Sequence, residues 1–187
     1  MARKPRENVE DGVYHVYARG NARARVFYDD VDRRMYLRML GKVVRQKEWR
    51  CLAFCLMNNH IHVLLETPKA NLSSGMQSLQ GRYAQFLNGR HRRIGHVFQG
   101  RYGSVRMASD GQVCAAAAYI ARNPVDAGLR EHPDEWPWSS FRGINGAPTP
   151  AWVDLDRLLS YFGTNRAEAR QRYADMSSTA PVSLKGV

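Results

Sequence analysis

Residues 51–66 read CLAFCLMNNHIHVLLE, two apolar runs with only Asn58 and Asn59 between them. Asparagine accepts the left-handed backbone that a two-residue turn demands, so the pattern predicts a tight β-hairpin. A hairpin constrains the fold strongly, because it makes two strands antiparallel neighbours and settles which side chains share a face. Along the second strand His60 and His62 fall on one face, with Ile61, Val63 and Leu65 on the other. The two histidine Cβ atoms then stand roughly 7 Å apart, a spacing that suits two imidazoles converging on one ion. An H-x-H pair alone is served equally well by two half-exposed strand histidines with ordinary hydrogen bonds.

The rest of the chain builds around this hairpin. GVYHVYAR (12–19) alternates as a strand does and ends in the turn RGN. Residues 28–48 carry acidic residues early, basic residues late, and Tyr36, Leu37, Leu40, Val43 and Val44 at helical spacing. A second helix, capped by Asn71 or Ser73, runs to about Gly89 with Met76, Leu79, Tyr83, Phe86 and Leu87 inward. Val97, Phe98, Tyr102 and Val105 mark a fourth strand after a basic turn. Ser109 and Gln112, at capping-box spacing, open an alanine-rich helix that Pro124 is expected to stop. The order β-α-β-β-α-β-α predicts an α+β protein of the split β-α-β kind, its long helices on one face of an antiparallel sheet. The domain expected to carry the chemistry is 1–145. Residues 146–187 read as a C-terminal helical extension whose last dozen residues are disordered.

Cys51 and Cys55 are expected on one strand face roughly 13 Å apart, too far for a disulfide or one shared metal. The opening MARKPREN lacks an apolar segment behind it, and no apolar run approaches the ~20 residues needed to span a bilayer. A cytoplasmic, nucleoid-associated protein with no membrane partner is expected.

The net charge is +11, and 23 of the 28 basic residues are arginine. The guanidinium fork matches phosphate oxygens two at a time and stacks on bases, so an anionic partner, nucleic acid first, is expected. Two basic clusters stand on predicted loops, the natural place for phosphate contacts: Arg19, Arg23 and Arg25 after the first strand, and Arg90, Arg92 and Arg93, with His91, before the fourth. A solvated charged loop accounts for them equally well.

Tyr119 and Asn123 are four residues apart and share a helix face. Packing alone explains a core tyrosine and a polar residue at a helix end. Together with the histidines they suggest chemistry. A tyrosine oxygen can attack a phosphodiester and hold the cut strand as an ester, but with a pKa near 10 it is a weak nucleophile at neutral pH. A divalent ion on the scissile phosphate would help, and His60, His62 and the Asn123 amide oxygen are suitable ligands by type and face. Two other classes remain open: a binding module without nuclease activity, and a metal-dependent phosphohydrolase using water.

The stretches YHVYARGN, MNNHIHVLLE, FQGRYGSV, YIARNPVDAGL and WPWSSF, spanning roughly residues 12–143, resemble the REP-associated tyrosine transposases. These are relatives of the IS200-type transposases among the HUH nucleases with one catalytic tyrosine. The resemblance implies a ferredoxin-like core and cleavage of single-stranded DNA beside a hairpin, a short repeated extragenic palindrome. It implies a 5′-phosphotyrosine, a free 3′-hydroxyl and a requirement for Mg²⁺ or Mn²⁺. It makes His60 and His62 metal ligands and Tyr119 the nucleophile. Asn123 takes the place of a glutamine that helps hold the metal in the IS200-type relatives. A monomer is expected, with a dimer as the alternative.

Overall fold

The computed structural model describes residues 9–179. Four strands form one antiparallel sheet: β1 (Gly12–Arg19), β2 (Arg50–Leu56), β3 (His60–Thr67) and β4 (Gly103–Arg106), in the order β2-β3-β1-β4. The helices are α1 (Asp30–Lys47), α2 (Leu72–Arg90), α3 (Asp110–Asp126), α4 (Leu155–Ser160) and α5 (Arg166–Ser178). This is the expected split β-α-β arrangement. Among the described residues no helix is long and apolar enough to cross a membrane.

α1 and α2 cover one face of the sheet, as expected. Tyr36, Leu40, Val43 and Val44 of α1 and Met76, Leu79, Tyr83 and Leu87 of α2 meet Tyr14, Val16, Ile61, Val63 and Leu65. Fully burying each such side chain stabilises by roughly 1.5–3 kcal/mol. α1 begins where Asp29 accepts hydrogen bonds from the Val31 and Asp32 amides and ends at Glu48, whose φ of 58° breaks the helix. Asn71 occupies the cap position of α2 without capping it, because its side chain accepts from Trp49 Nε1 and donates to the Lys47 carbonyl.

The opposite face is covered as well. There Leu52, Ala53, Cys55, Met57 and Leu64 pack against Val113, Ala116, Ala117 and Ile120 of α3, with Phe141, Leu158, Phe162 and Tyr173 behind them. The run of alanines lets α3 approach the strands closely, and this is what brings its side chains to the sheet.

β4 is confined to Gly103–Arg106, so Val97, Phe98 and Tyr102, expected within it, precede it, and Phe98 makes an isolated bridge to Gly20. Three further details differ from the sequence expectation. β2 carries a bulge: Cys51 pairs with Leu65 but Ala53 pairs with Leu64, which leaves Leu52 as an extra residue. The bulge flips the alternation, so Cys51 and Cys55 lie on opposite faces, in different cores. Pro124 does not stop α3, which continues to Asp126. Proline's fixed φ is compatible with a helix, and its missing N–H removes only one ladder bond near an end that Gly128 (φ 66°) terminates anyway. The tail expected to be disordered is helical through Ser178; from residue 180 onward it lies outside the described residues.

Candidate metal and nucleophile site

The turn between β2 and β3 is tied to the segment after β1. Asn58 Oδ1 accepts from Arg33 Nη2 (2.6 Å), and its carbonyl accepts from the Val26 and Phe27 amides. The Asn59 carbonyl accepts from the Gly20 amide (2.8 Å). A side chain at Gly20 would drive its Cβ into the Ala24 carbonyl oxygen, so only glycine fits this crossing. The first turn of β3 is therefore rigidly held, and His60 stands at its edge.

Strand register completes one wall. Tyr17 pairs with His62 and Arg19 with His60. Gly103 pairs with Tyr17 on the other side, where an added Cβ would collide with the Tyr17 ring. The missing side chain is what lets that ring lie down on β4. α3 supplies the facing wall: the Tyr119 ring meets His62 edge-on at 5.5 Å, and the His60 and His62 rings are 5.0 Å apart. Tyr17, Arg19, His60, His62, Gln99 and Tyr119 line a cavity of about 210 Å³.

Hydrogen bonds orient the donor atoms. Asn59 Nδ2 donates to the Arg23 carbonyl (3.1 Å), which turns Asn59 Oδ1 toward His60 Nδ1 at 2.7 Å. An amide oxygen only accepts, so the His60 proton resides on Nδ1 and Nε2 carries a lone pair. Asn123 Nδ2 donates to the Tyr119 carbonyl (2.8 Å), leaving Asn123 Oδ1 3.4 Å from His60 Nε2. Two acceptors thus face each other. Burial holds the His60 imidazole below its usual pKa, with Arg19 acting in the same direction, although the Asn123 contact opposes them. The imidazole is thereby biased toward its neutral form, and the gap between the two acceptors is one that a cation could fill. Two ligands about 2.1 Å from a divalent ion, at about a right angle, stand about 3 Å apart, close to what is seen.

His62 is buried, and its Nδ1 meets His15 Nε2 at 2.9 Å, so Nε2 is the nitrogen left for the cavity. Desolvation keeps the His62 imidazole well below its usual pKa, and hence neutral. Burial also raises the Tyr119 phenol above its ordinary value, so unaided ionisation is rarer than in water. Among the described residues no group of three or more His, Cys, Asp or Glu side chains is placed to hold a metal ion; the groups that could do so here are two imidazoles and an amide.

The arginines separate into two kinds. Arg19 lines the cavity, and Arg23 and Arg25 are exposed beside the β2–β3 turn. Arg90 is the last residue of α2, and its guanidinium is bound to Asp29 (2.7 Å) and to the buried Asp32 (2.6 Å). His91 Nε2 contacts the same Asp32 carboxylate. These two side chains fasten α2 to α1. Arg92 is exposed, and Arg93 lies over the Tyr28 ring and donates to its hydroxyl (2.8 Å). Glu66 is paired with Arg50 and Arg157, remote from the histidines by its place at the other end of β3. Sequence reasoning missed His15, Tyr17 and Gln99 as members of the site. The β1 alternation that puts His15 and Tyr17 on one face was the available signal for two of them; nothing marked Gln99.

Among curated proteins none matches the sequence. A solved REP-associated tyrosine transposase, bound to a REP hairpin, superposes with a TM-score of 0.68 at 18% identity, over 83% of this chain and 90% of its own. A candidate transposase from Deinococcus radiodurans R1 aligns with a TM-score of 0.44 at 19% identity, over 59% of this chain and 90% of its own. The first likeness establishes the fold. The family profile for IS200-like transposases matches residues 8–123, more than half of the chain. The chain belongs to the IS200-like transposase family.

Proposed function

We propose that this transposase is a metal-dependent single-strand DNA endonuclease and strand transferase that cuts beside REP-type hairpins through a 5′-phosphotyrosine. The observation that carries the reading is the facing pair of lone pairs on His60 and Asn123, set one helical turn from Tyr119.

In this reading His60 Nε2, His62 Nε2 and Asn123 Oδ1 hold Mg²⁺ or Mn²⁺. The ion, when bound, neutralises charge on the scissile phosphate and polarises it for attack. Tyr119 Oη forms a bond to phosphorus as the bond to the 3′-oxygen breaks. The phenol loses its proton, the departing 3′-oxygen gains one, and the 5′-phosphate remains on the enzyme. Attack by a 3′-hydroxyl on that ester reverses the step and joins strands. Burial disfavours the phenolate, so the rate depends on how well the site stabilises it.

Arg19 stands in the cavity wall where a backbone phosphate would enter, with Arg23 and Arg25 extending the positive surface along the turn. At about 210 Å³ the cavity is smaller than the ~300–1,000 Å³ of small-molecule pockets, which suits a phosphodiester whose nucleosides remain outside. Tyr119 meets His62 and Asn123 meets His60 within the chain itself, so this reading needs no residue from a second copy, and action as a monomer is part of the proposal. The hairpin held by the structural neighbour supports a hairpin substrate, and such a substrate would keep the protein at the nucleoid.

The test is a hairpin-bearing single strand labelled on its 3′ side, incubated with protein and Mn²⁺ and run on a denaturing gel. A labelled band at the mass of the protein is expected. Cleaved product without an adduct would make water the nucleophile, and binding without cleavage would make the protein a binding module.

A further inference from the structure

His15 has no part in the chemistry above, yet it is fully buried against the site, 0% exposed. β1 sets it opposite Leu64, one same-face position from the Tyr17–His62 pair, so its ring reaches His62 diagonally. Nε2 of His15 lies 2.9 Å from Nδ1 of His62, and the two rings stack with centroids 5.1 Å apart. The Tyr119 ring stands edge-on to His15 at 5.7 Å. Packing alone does not call for a histidine here. Phenylalanine would fill the space without burying polar atoms, and His15 Nδ1 has no hydrogen-bond partner among the described residues. The polar contact that the ring does make goes to His62.

We propose that His15 is a positioning residue that holds Nδ1 of His62 and so presents Nε2 of His62 to the cation site. When His62 offers Nε2 as a ligand its proton resides on Nδ1 and needs an acceptor, which His15 Nε2 provides. Without that acceptor the His62 ring is free to rotate, or to carry its proton on Nε2, and neither form ligates. Acceptors behind metal-bound histidines work in this way and are worth ~10–100-fold in affinity. The proposal rests on His62 being a ligand, and its test is arranged to separate the two.

Mn²⁺ binding to the DNA-free protein is followed by loss of the free-ion EPR signal, for the wild type and for His15→Phe, His15→Gln and His60→Ala. His15→Phe removes the acceptor at similar volume and should weaken Mn²⁺ binding by about tenfold or more. His15→Gln keeps an oxygen that accepts from His62 Nδ1–H and should bind nearly as the wild type does. Should His15→Phe fail to give a cooperative thermal melt, His15→Leu, which is smaller, takes its place. Wild-type affinity in the Phe or Leu variant, with loss in His60→Ala, overturns the positioning role alone. Equal loss in the Phe and Gln variants also overturns it, since packing would then be the cause. No difference between wild type and His60→Ala overturns the metal reading, and the positioning role with it.

Discussion

His60 Nε2 and Asn123 Oδ1 face each other across 3.4 Å, each turned inward by a hydrogen bond on its other side. The Asn59 amide fixes the first and the Tyr119 carbonyl the second, so neither donor has to reorganise to take an ion. Asn123→Ala should therefore shift the Mn²⁺ concentration for half-maximal cleavage upward by about tenfold or more, with activity returning at high Mn²⁺. A metal titration of adduct formation measures this. An unchanged midpoint would remove Asn123 from the ligand set.

Tyr119→Phe deletes one oxygen and leaves the half-buried ring in place against His62. Cleavage and adduct should disappear, while hairpin binding in a gel shift stays within about twofold, since a phenylalanine of similar volume costs little in packing. Undiminished cutting would assign the attack to water or to another tyrosine.

The two histidines should part company in stability. His60 is only half-buried at the turn, whereas His62 is enclosed and holds His15. Both alanine variants should lose cleavage. His62→Ala should in addition lose about 2 kcal/mol, because it opens a cavity and strands the buried His15 Nε2. His60→Ala should stay within about 1 kcal/mol of wild type in urea unfolding. Equal midpoints for the two variants would mean that the His15–His62 contact contributes nothing to the fold.

Where side-chain geometry follows from local period, the sequence was legible. The Asn58–Asn59 turn announced the hairpin, alternation placed His60 and His62 together, and four-residue spacing put Tyr119 and Asn123 on one helix face. The failures share a cause. The bulge at Leu52 is invisible in an unbroken apolar run, and it reversed the expected faces of Cys51 and Cys55. Pro124 reads as a stop only if the helix has no other reason to continue, and the packed alanines of α3 provide one. His15 and Arg90 depend on partners 47 and 58–61 residues away, which no local pattern reports. A basic residue beside a turn looks the same in sequence whether it faces solvent or closes an ion pair.

That last ambiguity can be tested directly, because the structure sorts the arginines by partner. Asp32 is fully enclosed, and Arg90 supplies the nearest of its charged contacts, at 2.6 Å. Removing that guanidinium leaves the buried carboxylate with the His91 ring, the Tyr28 amide and the more distant charge of Arg33. Arg90→Ala should lower the urea midpoint, since it removes the nearest charged partner of a buried carboxylate, which costs more than breaking a pair between two exposed groups. Its effect on hairpin affinity should be small once the fraction folded is accounted for. Arg23 and Arg25 behave oppositely, being exposed beside the turn that carries His60. Each arginine on a phosphate releases condensed counterions, so Arg23→Ala with Arg25→Ala should flatten the slope of log affinity against log salt by about 0.7 for every phosphate of a single strand left unneutralised. Melting temperature should hardly move. Urea unfolding and binding isotherms at several salt concentrations give both quantities for each variant. A salt slope unchanged in the double variant would take the β1 loop out of the DNA path, and an unchanged stability in Arg90→Ala would show that the Arg90–Asp32 pair adds nothing to the joint between α1 and α2.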